Sequence, residues 1–102
     1  MLANNGIVST TGQRVLSSKT IHAVVPLMVT CGMYNGAGKF VKDWGVPSKS
    51  GVSGCLLTVI PNLGACVNFS PKLDEVGNTV KGIAMIGLFS GLYNNFNLFQ
   101  KD

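Results

Sequence analysis

The chain has 102 residues, of which 46% are hydrophobic and 12% charged, and its net charge is +4. This length suits one small domain or a piece of a larger one, and the apolar content excludes intrinsic disorder. The eight Lys and Arg residues are scattered, so the charge does not indicate a nucleic-acid-binding surface.

The three cysteines, Cys31, Cys55 and Cys66, form no CxxC pair and lack the spacing of a metal site. Nothing at the amino terminus resembles a signal peptide. The apolar run 82–93 is short and interrupted by glycine, which argues against a membrane span. We therefore expect a protein that is not secreted and that uses neither a metal nor another cofactor.

The first predicted regular element is a helix. Residues 1–15 are turn-rich and predict a loop. Ser17 or Ser18 can cap a helix, and apolar residues then recur at helical spacing at Ile21, Val24, Val25, Met28 and Cys31. Pro26 removes one backbone donor, so we expect the helix to kink or to break before it. Gly32 is the predicted helix end.

His22 is the only histidine, and no cysteine or carboxylate lies near it in sequence. We interpret it as an exposed or hydrogen-bonded residue rather than a catalytic base. In the next segment, Gly36 and Gly38 predict a tight turn that holds Tyr34 at its mouth, with the phenol free to reach outward. The third glycine of a dinucleotide fingerprint is missing, which argues against a Rossmann fold.

Residues 51–60 are rich in β-favouring apolar side chains and predict a strand. A turn at 61–64 connects this strand to a second one at 65–69, so the two form an antiparallel hairpin. Because both strands are almost continuously apolar, we expect helices to cover the faces of the sheet.

A cation, a hydroxyl and two glycines stand where the first strand begins, at Lys49, Ser50, Gly51 and Gly54. Small residues allow a ligand to approach the backbone and leave amide N–H groups free to donate. The stretch is therefore a candidate wall of an amide- or acyl-binding cleft. The alternative is a flexible loop that leads into a core strand.

The last predicted element is a helix capped by Asn78 or Thr79. Before it, Asp74 and Glu75 are adjacent in a loop, and adjacency does not make two carboxylates face each other as acid and base. The tail from Asn94 is expected to be peripheral. The apolar residues of the helix are Val80, Ile83, Ala84, Ile86, Leu88 and Leu92.

Three motifs follow one another along the chain. Residues 31–34 read Cys-Gly-Met-Tyr, residues 47–52 read Pro-x-Lys-Ser-Gly-Val, and residues 70–78 read Ser-Pro-x-Leu-Asp-x-x-Gly-Asn. In order and spacing they resemble the C-terminal part of the catalytic domain of glutaminases, enzymes that hydrolyse glutamine to glutamate and ammonia. The resemblance covers residues 1–93 and leaves 94–102 as a divergent tail.

The resemblance implies a mixed α/β (α+β) chain, part of a serine β-lactamase-like fold, with an antiparallel hairpin of a central sheet flanked by two helices. It implies that Tyr34 contacts substrate and takes part in catalysis, and that the backbone amide of Val52 helps to hold the substrate carbonyl. Lys49, Ser50 and Gly51 are similar to the Lys-Thr-Gly strand of β-lactamases, which implies that they line the cleft.

The partners that the resemblance implies are L-glutamine and further copies of the full-length enzyme in a homo-oligomer. Similarity to animal-type members indicates a mitochondrial location, with the cytoplasm as the alternative. Membranes and nucleic acids are not expected as partners.

The sequence departs from the family pattern at the nucleophile. These enzymes use a serine activated by a lysine three residues later, and no lysine of this chain follows a Ser or Thr at that spacing. We therefore expect this chain alone to be inactive. The alternative is a non-catalytic fragment that associates with or regulates a full-length glutaminase; an independent β-lactamase or peptidase relative fits the motifs less well.

Overall fold

The computed structural model describes residues 1–92 and 96–99. They form three α-helices and a three-stranded antiparallel sheet with the order β1-β2-β3. The elements are α1 (Ser18–Cys31), α2 (Ala37–Asp43), β1 (Ser48–Ser50), β2 (Cys55–Ile60), β3 (Gly64–Phe69) and α3 (Val80–Leu92), with short 3-10 helices at Leu2–Asn4 and Tyr34–Gly36. The predicted mixed class is confirmed, with one more helix and one more strand than expected.

Helix α1 begins as predicted, because the Ser17 hydroxyl accepts a hydrogen bond from the Thr20 backbone N–H at 3.1 Å. It ends at Gly32, whose N–H donates to the Met28 carbonyl at 3.0 Å. The expected break before Pro26 is wrong, since the helix continues through it. The proline and the residue one turn before it are both exposed, so water can satisfy the carbonyl that loses its donor.

Helix α2 was not predicted, because its glycines favoured a turn. Two of its side chains, Ala37 and Phe40, are buried at helical spacing. On its exposed side the Lys39 ammonium lies 2.9 Å from the Asp43 carboxylate. This hydrogen-bonded ion pair raises the pKa of Lys39 and lowers the pKa of Asp43.

The predicted single strand 51–60 is wrong in its first half. Residues 48–60 form a hairpin in which β1 pairs with β2, with Ser50 opposite Leu56. The connecting turn is closed by a hydrogen bond from the Gly54 N–H to the Gly51 carbonyl at 2.9 Å. The predicted hairpin of β2 with β3 is confirmed, with Ile60 opposite Gly64.

The core lies between β2, α2 and α3. Its buried side chains include Met33, Phe40, Val46, Leu56 and Ile86. Their burial removes apolar surface from water and holds the helices against one face of the sheet.

On β3 the sheet is not covered on both faces as expected, because Val67 and Phe69 are 67% and 64% exposed. The expectation of a peripheral tail is also wrong for two residues, since Phe96 and Asn97 are buried. The Leu98 N–H donates to the Gly45 carbonyl at 2.9 Å and holds this segment beside Gly45, two residues after the end of α2.

The close approach of α1 to β1 requires Gly32. A Cβ at this position would overlap the Ser48 carbonyl oxygen, whereas a Cβ at Gly38 in α2 would meet no atom within 4 Å. Gly32→Ala should therefore lower the free energy of unfolding by about 1–3 kcal/mol through overpacking. Gly38→Ala should raise it by about 0.5–1 kcal/mol.

Denaturant unfolding of the two alanine variants beside the parent chain measures both changes. Equal stabilities of the two variants would contradict the close approach of α1 to β1.

Candidate active site

Tyr34 lies three residues after the end of α1 and has a left-handed backbone, with φ of 55°. A bulky residue in this region costs on the order of 1–3 kcal/mol and persists only where its surroundings hold it. Such strain is concentrated at functional sites. The conformation of Tyr34 therefore marks it as a candidate functional residue.

The loop before α3 holds the backbone of Tyr34. The Asn78 side-chain amide is buried and donates to the Met33 carbonyl at 2.8 Å. The Asp74 carboxylate in turn accepts from the Asn78 backbone N–H at 3.0 Å. This chain of contacts fixes the peptide bond that precedes Tyr34.

The ring of Tyr34 lies against the end of β1. Its hydroxyl donates to the Ser50 carbonyl at 3.1 Å. The Lys49 ammonium donates to the same carbonyl and lies 4.5 Å from the ring centroid. The prediction that the phenol is free to reach outward is therefore wrong. The side chain is 39% exposed, but its hydroxyl is hydrogen-bonded to β1.

Ser50 connects this site to the end of α1, since its N–H donates to the Gly32 carbonyl at 3.0 Å. Its carbonyl faces Tyr34. Its hydroxyl is buried and has no hydrogen-bond partner within the described part of the chain. Ser50 thus contacts Tyr34 through its backbone carbonyl and not through its hydroxyl.

Val52 lies in the turn between β1 and β2, directly after Gly51, and its side chain is 72% exposed. It occupies the second position of the β-turn that Gly51 and Gly54 close. Among the described residues, no acceptor lies within hydrogen-bond distance of the Val52 N–H. An unpaired N–H two residues after the carbonyl that holds Tyr34 is suited to donate to a substrate carbonyl oxygen.

The structure thus brings together Tyr34, Lys49 and Ser50, with Gly51 and Val52 on the adjoining turn. Sequence reasoning missed the part played by Asn78, which was interpreted as a candidate helix cap.

Thr79 is the cap of α3, since its hydroxyl accepts from the Gly82 N–H at 3.2 Å. The contact between Asn78 and Met33 joins residues 45 positions apart, and no local spacing signals it.

Residues 1–92 and 96–99 contain no group of three His, Cys, Asp or Glu side chains that could hold a metal ion. His22, the only histidine, is exposed on α1. The described helices are too short or too polar to cross a membrane.

A glutaminase family model matches residues 1–99, and the chain belongs to the glutaminase family. The match extends beyond residue 93. The family and the partial β-lactamase-like fold that the motifs predicted are confirmed.

Two curated relatives illustrate the range of the family. The liver isoform of mitochondrial glutaminase from Rattus norvegicus is 42% identical over 96 residues, which cover 94% of this chain and 16% of the rat protein. A glutaminase from a Nostoc strain is 45% identical over 82 residues, which cover 80% of this chain and 25% of the relative.

Among solved structures, a crystal structure of Mglu in its glutamate form is similar with a TM-score of 0.86 and 41% identity, over 99% of this chain and 23% of Mglu. The chain therefore spans about a quarter or less of the length of these relatives.

Asn78→Ala tests the contact that holds Tyr34. Removing the amide leaves the Met33 carbonyl with the Gly36 N–H at 3.0 Å as its remaining donor, so the loss of one buried hydrogen bond should lower the free energy of unfolding by about 1 kcal/mol. Asn35→Ala is the matched control, because Asn35 is an exposed asparagine directly after Tyr34, and it should change stability by less than about 0.5 kcal/mol.

Chemical denaturation of both variants measures the difference. A loss in Asn78→Ala no larger than in Asn35→Ala would show that the contact does not hold the loop.

Proposed function

We propose that this chain forms one wall of a glutaminase active site, where L-glutamine is hydrolysed to L-glutamate and ammonia. The observation that carries the proposal is the placement of the Tyr34 phenol on the Ser50 carbonyl, two residues before the free N–H of Val52. Membership of the glutaminase family supports the choice of reaction.

In the proposed reaction a serine hydroxyl attacks the carbon of the side-chain amide, ammonia leaves, and water then hydrolyses the acyl-enzyme. The Val52 N–H donates to the carbonyl oxygen as negative charge develops on it. Tyr34 contacts the substrate and passes a proton near the nucleophile. These two groups lie on one wall and act on the same amide.

The attacking serine and its lysine are not supplied by these 102 residues, because no Ser or Thr precedes a lysine by three positions. Loss of the nucleophile removes nearly all catalysis in enzymes of this kind, and oxyanion donors alone leave a small residual. The 102-residue chain should therefore not turn over glutamine by itself.

The activity can be tested in a chimera in which this chain replaces the matching quarter of Mglu. Mglu is 41% identical to this chain, and the similarity covers 99% of the chain. We expect the chimera to release ammonia from glutamine and the 102-residue chain to release none. Val52→Pro in the chimera removes the proposed oxyanion donor at a turn position that favours proline. We expect kcat to fall by about 10²–10³-fold.

Val52→Ala is the matched control, since it trims the same side chain and keeps the N–H; its loss should be far smaller. An inactive but folded chimera, or equal losses in Val52→Pro and Val52→Ala, would contradict the proposed role. Ammonia release under saturating glutamine and circular dichroism measure the two properties.

A second candidate function is association with a full-length glutaminase, and the exposed apolar side chains of β3 favour it. Val67 and Phe69 lie on the same face of β3, an edge strand that pairs with β2 alone among the described strands. We also propose that the complete enzyme assembles into a homo-oligomer. A mitochondrial location, with the cytoplasm as the alternative, is proposed because the rat relative is described as mitochondrial.

Val67→Thr combined with Phe69→Thr should weaken association at least about tenfold, because both variants reduce the apolar area that a partner would bury. Val15→Thr changes another exposed valine and should leave association unchanged. Light scattering of the 102-residue chain and a pull-down with full-length glutaminase provide the measurement. No association of the parent chain at micromolar concentration would exclude this candidate.

A further inference from the structure

We propose that Lys49 is a positioning residue that holds the Tyr34 phenol beside the Val52 amide. The inference rests on the proposed function for its catalytic consequence, but the contacts that carry it stand independently. The sequence motif placed Lys49 only in the wall of the cleft, and the structure assigns it a specific neighbour.

The strand pattern directs Lys49 towards Tyr34. In β1 the residues on either side, Ser48 and Ser50, are buried while Lys49 is exposed. Because side chains alternate along a strand, Lys49 must project from the opposite face to these two serines. That face carries the ring of Tyr34, 4.5 Å from the ammonium.

Lys49 and Tyr34 share one acceptor. The Tyr34 hydroxyl and the Lys49 ammonium both donate to the Ser50 carbonyl, and a carbonyl oxygen has two lone pairs with which to accept them. The ammonium also lies over the ring within the distance of a cation–π interaction, about 6 Å. The phenol is thus held at its hydroxyl and over its ring by neighbouring residues of one strand.

The hydrogen bond described for the Tyr34 phenol is the one to β1. Asn78 fixes the backbone that precedes it, yet the side chain is 39% exposed. Gly77 lies beside the ring, and even an added Cβ there would come no closer than 3.7 Å. The direction of the phenol therefore depends on the contacts with β1.

Lys49 forms no salt bridge with any of the described residues. The ion pair found among them is Lys39 with Asp43, and no carboxylate of the described chain lies within salt-bridge distance of Lys49. A cation paired with a carboxylate would be partly neutralised. Here the ammonium remains available to the ring and to the Ser50 carbonyl.

The contact itself can be tested in the 102-residue chain by nuclear magnetic resonance. We expect the ε-methylene protons of Lys49 to be shifted upfield by the Tyr34 ring relative to those of Lys19, and to show cross-relaxation with the ring protons. Tyr34→Leu should abolish both signals. Lys49 protons that match those of exposed Lys19, with no cross-relaxation, would overturn the proposal whatever the activity.

The consequence is tested in the chimera with Mglu. Lys49→Met keeps the length of the side chain and removes the donor and the charge, so kcat should fall about 10- to 100-fold, as misplaced catalytic groups do, with KM within about twofold. Lys49→Arg keeps a cation that stacks on aromatic rings and should recover most of the rate. Lys19→Met is the control and should match the parent.

A double-mutant cycle separates positioning from a general structural effect. In a Tyr34→Phe background, Lys49→Met should cost little more, because the phenol that it positions is already absent. Full additivity, or equal losses in Lys49→Met and Lys49→Arg, would overturn the proposal. If the parent chimera is inactive, the proposed function fails, and the resonance experiment still decides whether Lys49 holds Tyr34.

Discussion

The hydrogen bond from Asn78 to the Met33 carbonyl is the contact on which the candidate site depends. It is buried, 2.8 Å long, and joins the end of α1 to the start of α3. The Met33 carbonyl also accepts from the Gly36 N–H at 3.0 Å, and the two donors together keep the chain at Met33 in place. This restraint offsets the strain of the left-handed Tyr34 and directs its ring towards β1.

The site is assembled where three separate segments meet. The end of α1 contributes carbonyl acceptors, β1 contributes both donors and acceptors, and the loop before α3 contributes the Asn78 amide donor to the surroundings of Tyr34. The close approach of α1 to β1 at Gly32 allows the Ser50 N–H to reach across. Each of these contacts involves a backbone group on at least one side, which favours small residues where the segments approach one another.

Local patterns predicted some elements well and others poorly. The cap at Ser17, the end of α1 at Gly32 and the hairpin of β2 with β3 follow from neighbouring residues, and all three are confirmed. Helix α2 was missed because its glycines resemble a turn, while burial of Phe40 decides in favour of a helix. Phe96 was assigned to a peripheral tail, but it packs in the core.

The sequence by itself determined the family and the lack of a Ser or Thr three positions before any lysine, because these properties follow from the order of the residues. Only the tertiary structure decided that Asn78 holds Met33 and that Lys49 lies over the ring of Tyr34. Such contacts join residues far apart in the chain, whose separation carries no periodic signal. The Asn78 contact forms because folding places a buried donor beside a buried acceptor, and each satisfies the other.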